Sequence, residues 1–438
     1  MISSPRTDRR FRLSEEQARS LAAAYGTPLY VVDERHFRER IREYRDAFLE
    51  AYPKASITYA SKANSTVALI AIAHQEGCDI DVASEGELRA ALAAGVPAAS
   101  CHFHGNNKQR SELEFAVSNG VGYIVADHFG ELETIADIVG GRAPGSPRIV
   151  LRLAPGVDPV THAKISTGQA DTKFGFNIAD GSAEKATRRA LDLGLDLHGF
   201  HCHVGSQLLD PEAQRSGGEL IARFAIEMNA RHGYAARYLN VGGGLGVMYT
   251  EGDQPMAIRE YNRMIVDAVL GALEGSGIEP TLGQEPGRSL IGESGVTLYT
   301  VGVVKTVPAR AHGTRTYVAV DGGLSDNPRP VMYGAAYTVE RIGSSRDEQW
   351  QTVTVSGKHC ETDRLFPDVE LPGDIGPGDL LQVLVTGAYN SAMASNYNRY
   401  PRPATALLRT DGSHCLIQRR ESWDDVLARE QMPSDLRR

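Results

Sequence analysis

Tryptophan occurs only twice in this 438-residue chain and cysteine only five times. Cys78, Cys101, Cys202, Cys360 and Cys415 are odd in number and widely spaced, and no C-x-x-C pair occurs. That argues against a disulfide framework and against a cysteine zinc module, and it fits a reducing compartment. No apolar run approaches the ~20 residues that a membrane-spanning helix needs. The first twelve residues are polar and basic but lack the apolar core of a secretory signal, so a cytoplasmic setting is expected. Excess positive charge is missing too. The formal net charge is -9, which counts against nucleic acid or an anionic membrane as the main partner. It leaves room for a local basic pocket that takes an acidic small molecule. With 42% hydrophobic and 23% charged residues the composition is globular, and the length allows two or three domains.

Periodicity organises the rest. Ser14 is placed to cap a helix that runs to Tyr25, and residues 28–33 form a β-branched strand. Strand-like runs follow at 57–60, 79–83, 101–104, 123–126, 148–153, 199–204, 237–241 and 281–284. Between them lie helical patterns at 67–73, 85–94, 109–119, 130–139, 183–193, 217–231 and 258–274. Eight strands alternating with helices over about 240 residues match a (β/α)8 TIM-type barrel better than a doubly wound open sheet of five or six strands. Beyond residue 293 helical periodicity nearly vanishes. Strand-like runs at 295–307, 316–320, 351–355, 380–385, 405–409 and 414–418 predict an all-β domain, with a last helix at 423–431. The expected organisation is an N-terminal segment, 1–36, that joins the β-domain through strand 29–32, a barrel over 37–293, and a C-terminal β-domain over 294–438.

The chemistry is read at the carboxyl ends of the barrel strands, where such barrels place their active sites. Lys62 follows the first strand. A lysine buried there loses hydration, its pKa falls, and its free amine can attack a carbonyl. Taken alone it would pass for a solvated lysine at a strand end. Asp81 ends the second strand with Glu87 just beyond, and Arg152 lies on the fifth. The sixth carries His201 and His203, two apart and so expected on one side; a zinc pair is possible in principle, but no third ligand has suitable spacing. The seventh runs into Gly242-Gly243-Gly244 and the eighth into Glu285-Pro286-Gly287-Arg288. Glycine turns after strands seven and eight can bring backbone N–H groups to a phosphate, and Ser206 can add a hydroxyl. His203 can stack on a planar ligand. A carboxylate such as Glu285 beside a pyridine keeps the ring nitrogen protonated and the ring electron-poor. Amine, phosphate cradle, stacking imidazole and carboxylate together describe a pyridoxal 5'-phosphate site, with no metal.

These residues carry a resemblance. Tyr59-Ala60-Ser61-Lys62, His201-Cys202-His203-Val204-Gly205-Ser206, Gly242–244, Glu285-Pro286-Gly287-Arg288 and Cys360-Glu361 are similar to the motifs of the fold-type III pyridoxal phosphate decarboxylases. That group comprises the ornithine, arginine and diaminopimelate decarboxylases, which share an alanine racemase-like barrel with a C-terminal β-domain. The stretch from Asp321 to Pro330, and Gly387-Ala388-Tyr389 with 394–398, resemble the diaminopimelate branch. The resemblance implies that Lys62 holds the cofactor covalently, His203 stacks on it and Glu285 pairs with its nitrogen. Ser206, Gly244, Gly287 and Tyr389 would bind the phosphate, with Asp81 and Arg288 also at the cofactor. Arg288, Arg329, Tyr333, Glu361 and Tyr389 would bind substrate. Cys360 and Glu361 would complete the site of a partner subunit in a homodimer, with Cys360 supplying a proton. The implied reaction is decarboxylation of meso-2,6-diaminopimelate to L-lysine and CO2, the last step of lysine biosynthesis. Paired arginines suit an acidic distal group better than ornithine's ammonium. One departure stands out. Cys360-Glu361-Thr362-Asp363 has one residue fewer before the aspartate than the usual Cys-Glu-Ser-Gly-Asp. It supports the alternative of a related substrate, such as carboxynorspermidine, D-ornithine or D-lysine. A racemase of the same barrel would not need the Cys360-Glu361 motif, and a non-enzymatic homologue would not retain both Lys62 and the glycine turn.

Overall fold

Two compact units make up the chain in the computed structural model, which describes residues 8–140, 145–157, 172–309, 313–344, 349–362 and 364–437. One contains Phe37–Met248 and Gly252–Gly292; the other contains the chain up to His36, Tyr249–Glu251, and the chain from Glu293 onward.

The first unit is a closed parallel barrel. Its strands are Ala55–Ala60, Asp79–Val82, Cys101–Phe103, Tyr123–Ala126, Arg148–Ala154, Leu197–Cys202, Tyr238–Asn240 and Thr281–Gln284. Each pairs in parallel with its neighbour, and the eighth returns to the first through Leu282 opposite Ala55. A two-residue strand, Phe176–Asn177, adds to the carboxyl end of the fifth. The strands are short and mostly buried on both faces, which is why Tyr123–Ala126 reads as an unbroken apolar run rather than an alternating one. Aromatic rings floor the barrel. His102 lies 4.2 Å from Tyr123, and Tyr123 5.5 Å from Tyr238, centroid to centroid. A Cβ at Gly283 would sit 2.1 Å from the Tyr238 hydroxyl oxygen, so this strand must present glycine to the plug.

The helix Glu34–Ala51 escapes the sequence reading because arginines and glutamates crowd it. Its apolar positions are nonetheless helical: Phe37, Ile41, Tyr44 and Phe48 recur at four and three residues and are wholly buried. Phe37 packs edge-on against Tyr59, at 5.7 Å, and the Tyr44 hydroxyl donates to Gln284 on the eighth strand.

The second unit is β-rich. Its strands run Phe366–Pro372, Trp350–Ser356, Thr314–Val320, Gly295–Pro308, Leu29–Asp33, Ala404–Leu408 and His414–Gln418 in spatial order, with Leu380–Val383 branching from Gly295–Pro308 and Val339–Arg341 pairing with Leu380–Val383. Leu29–Asp33 pairs antiparallel with Gly295–Pro308 and parallel with Ala404–Leu408. The N-terminus of the chain thus supplies an inner strand of this sheet. Ser14 caps the helix Glu15–Tyr25 through a reciprocal pair with Gln17. Among the described residues no helix is long and apolar enough to cross a membrane.

Candidate active site

Glu285 follows the eighth barrel strand and is almost fully buried. His201 Nε2 lies 3.0 Å from Oε2, the Asn240 amide donates to Oε1 at 2.8 Å, and His104 Nε2 lies 2.9 Å from the same oxygen. Burial alone would raise this carboxyl's pKa. The two histidines and their hydrogen bonds outweigh it and hold the group well below the usual carboxylate range. Glu285 is therefore an anion under a dry roof. His104, His201 and Glu285 also place three ligand-type atoms within 4.8 Å of one another. The expected shared side for His201 and His203 does not hold. The strand ends at Cys202, and while His201 turns to Glu285, His203 Nδ1 accepts from the Gly243 N–H at 3.4 Å. Burial, Lys62 and Arg152 push His203 well below the ordinary imidazole value, so it is neutral.

The glycine turn closes on the same point. Gly242 and Gly244 have φ of 71° and 135°, a region that favours glycine. A Cβ at Gly243 would fall 2.1 Å from the Glu285 carbonyl oxygen, and one at Gly244 2.6 Å from that of Gly205. A Cβ at Gly287 would meet Ala60 and Ala63, at 3.0 and 3.1 Å, the residue before the Lys62 turn and the last residue of it. Arg288, buried, donates to Ser206 Oγ at 3.0 Å. So Lys62, His203, Ser206, Gly242–244, Glu285, Gly287 and Arg288 meet at one rim.

Lys62 itself corrects an expectation. It sits in the short 3-10 turn Ser61–Ala63 rather than at the strand end, and its side chain is exposed at the barrel mouth rather than buried. Its charge is felt by Asp81, Glu87 and His203. Glu87 is fastened by the Ala83 N–H, at 2.7 Å, and burial raises its pKa against the pull of Lys62. Asp81 is buried, its pKa raised by desolvation, and its Oδ1 has no hydrogen-bond partner among the described residues. Arg152 is buried over the Phe174 ring, 4.1 Å from its centroid, with Asp127 4.0 Å away. His104 and Asn240 belong to this constellation but carry no motif; a polar side chain ending a buried strand just ahead of three glycines is the signal that marks Asn240.

The second unit holds the remaining candidates. Arg329 and Tyr333 bound a one-turn helix whose left-handed stop is Gly334. Arg329 is buried, bonds the Tyr337 hydroxyl and lies 4.8 Å from the Tyr249 ring centroid. Desolvation would lower its pKa, but Tyr249, Tyr337 and Tyr389 raise it, so its charge is secure. Tyr333 and Tyr389 are half-buried, the latter with φ 59°. Cys360 and Glu361 are exposed; Asn398 accepts from the Cys360 N–H at 3.1 Å and Tyr397 donates to Glu361. Thr362 is exposed, and Asp363 lies outside the described residues.

The barrel's residues fit pyridoxal phosphate: a turn where any Cβ would collide, an anionic carboxylate, a neutral imidazole, a reachable amine and a buried oxygen on Asp81 that has no hydrogen bond among the described residues. Comparison with known proteins agrees. Residues 35–292 match the family described as "Pyridoxal-dependent decarboxylase, pyridoxal binding domain", and the chain belongs to that family. It is 44% identical over 413 residues to a diaminopimelate decarboxylase of Bacillus subtilis, covering 93% of this chain and 92% of that one. The structure of the M. jannaschii diaminopimelate decarboxylase superposes with a TM-score of 0.86 at 31% identity, covering 99% and 98% of the two chains. That of Helicobacter pylori, complexed with L-lysine, gives 0.84 at 31% identity, covering 94% and 98%. Within the family this chain stands in the diaminopimelate branch.

Proposed function

We propose that this chain removes the α-carboxylate of meso-2,6-diaminopimelate to give L-lysine and CO2, using pyridoxal 5'-phosphate held at the barrel rim. The observation that carries the reading is the buried Glu285 anion, clamped by His104, His201 and Asn240 beside the glycine turn. When bound there, pyridoxal phosphate supplies an electron sink for the pair left behind by departing CO2. The protein's own residues do the rest. Lys62 would hold the cofactor through its side-chain amine. Glu285 holds the proton on the ring nitrogen, which needs its carboxylate ionised. His203, neutral, would pack on the ring face, while Gly242–244, Gly287, Ser206 and Tyr389 would receive the phosphate. Arg288 and Arg329 take the distal carboxylate, with Tyr333 and Glu361 toward the distal ammonium.

Cys360 supplies the proton to the α-carbon. It is solvent-exposed in a single chain, as a thiol that serves a second copy's site should be. The working unit in this reading is a cytoplasmic homodimer with shared sites. Purified protein loaded with cofactor should release CO2 from meso-diaminopimelate and form L-lysine in equal amounts. Comparable turnover of ornithine, lysine or carboxynorspermidine would reject the substrate assignment.

A further inference from the structure

Asn240 ends the seventh barrel strand and is 1% exposed. Its Oδ1 accepts from the Gly242 N–H at 2.8 Å. Its Nδ2 donates to Glu285 Oε1 at 2.8 Å and to the Tyr238 hydroxyl at 3.0 Å. The amide's orientation is not free: a backbone N–H can only donate, so oxygen must face Gly242 and nitrogen the carboxylate. One side chain thus touches the first glycine of the phosphate turn, the carboxylate meant for the ring nitrogen and the aromatic floor of the barrel. We infer that Asn240 is a positioning residue that sets the registry between the phosphate-binding turn and Glu285, so that both ends of one rigid cofactor are met at once.

The inference rests on the cofactor reading above and goes beyond it. A bound pyridoxal phosphate has a fixed span from phosphate to ring nitrogen. If turn and carboxylate drifted independently, binding at one end would be gained at the expense of the other. An aspartate at this position would keep an oxygen on Gly242 but set a second carboxylate against Glu285. Asparagine serves both neighbours at once.

Apo-protein is titrated with pyridoxal 5'-phosphate and, separately, with pyridoxal, following the absorbance band near ~420 nm. The advantage of the phosphate is the ratio of the two Kd values, and the band's pH midpoint reports the ring environment. Asn240→Leu should weaken pyridoxal phosphate by about tenfold or more, shrink that ratio about fivefold, and move the pH midpoint. Asn240→Asp should keep the ratio within about twofold of wild type, since Gly242 retains its acceptor, while the pH midpoint still moves. A wild-type ratio and midpoint in Asn240→Leu would overturn the inference. So would an equal loss of the ratio in Asn240→Asp. If Asn240→Leu does not fold, Asn240→Ala, which has no polar atom for either partner, replaces it against Asn240→Asp. Absence of the band from the wild-type protein removes the cofactor reading and this inference with it, a result distinct from either variant outcome.

Discussion

Single residues in this molecule are tuned by what surrounds them more than by what they are. Lys62→Ala should abolish the ~420 nm band and lower turnover by about a thousandfold or more, because no other amine follows the first strand. Arg329→Lys keeps a charge but loses the planar fork set against Tyr249 and Tyr337. It should raise KM for diaminopimelate about tenfold with little change in kcat, read from initial rates over a substrate series. Asp326 offers a pH test. Burial pushes its carboxyl up to about 7, although Tyr299 and the Gly323 N–H both donate to it. The native state then holds a proton that the unfolded chain releases near pH 4, so stability falls as pH rises from there to about 7 and is flat above. The loss is on the order of a few kcal/mol. Asp326→Asn should flatten that slope in thermal melts between pH 5 and 8; an unchanged slope would place the titration elsewhere.

Elements answer to local rules where those rules are strong. The reciprocal Ser14–Gln17 cap starts its helix where spacing predicts, and Ser14→Ala should lower stability by about 1 kcal/mol in denaturant titration. Strand 281–284 and strand 123–126 are observed with the bounds expected from the sequence. Helix Glu34–Ala51 is missed because its buried stripe of Phe37, Ile41, Tyr44 and Phe48 is thin against its charges. Strand Phe366–Pro372 is missed as well, since Pro367 and Pro372 break the strand pattern. The glycine turn is the most constrained element. Gly243→Ala would drive a methyl into the Glu285 carbonyl, 2.1 Å away. Because that neighbour is backbone, the loop must move, and a fall of about 2 kcal/mol with loss of cofactor affinity is expected in melts with and without pyridoxal phosphate.

Over the whole molecule, thiol accessibility and assembly can be tested together. Cys78, Cys101 and Cys202 are buried, and burial pushes each up to about 12; Cys360 and Cys415 are exposed. A thiol reagent should therefore leave Cys78, Cys101 and Cys202 unmodified in the native protein and count five groups after unfolding. If sites are shared between copies, Lys62→Ala and Cys360→Ala proteins, each inactive alone, should regain about a quarter of wild-type activity when mixed and re-equilibrated. No recovery would confine each site to one chain.

Composition, strand count and the glycine and lysine motifs by themselves determined the barrel, the β-domain and the cofactor class, because apolar periodicity and collision-prone turns are local and leave a mark on consecutive residues. Only tertiary structure brought His104, from the third strand's end, and Asn240, from the seventh's, onto one oxygen of Glu285. The tertiary structure likewise left Lys62 exposed at the mouth, where sequence reasoning expected a buried amine. Burial and charge at those positions depend on neighbours tens to nearly two hundred residues away, and barrel closure, not adjacency in the chain, chooses those neighbours.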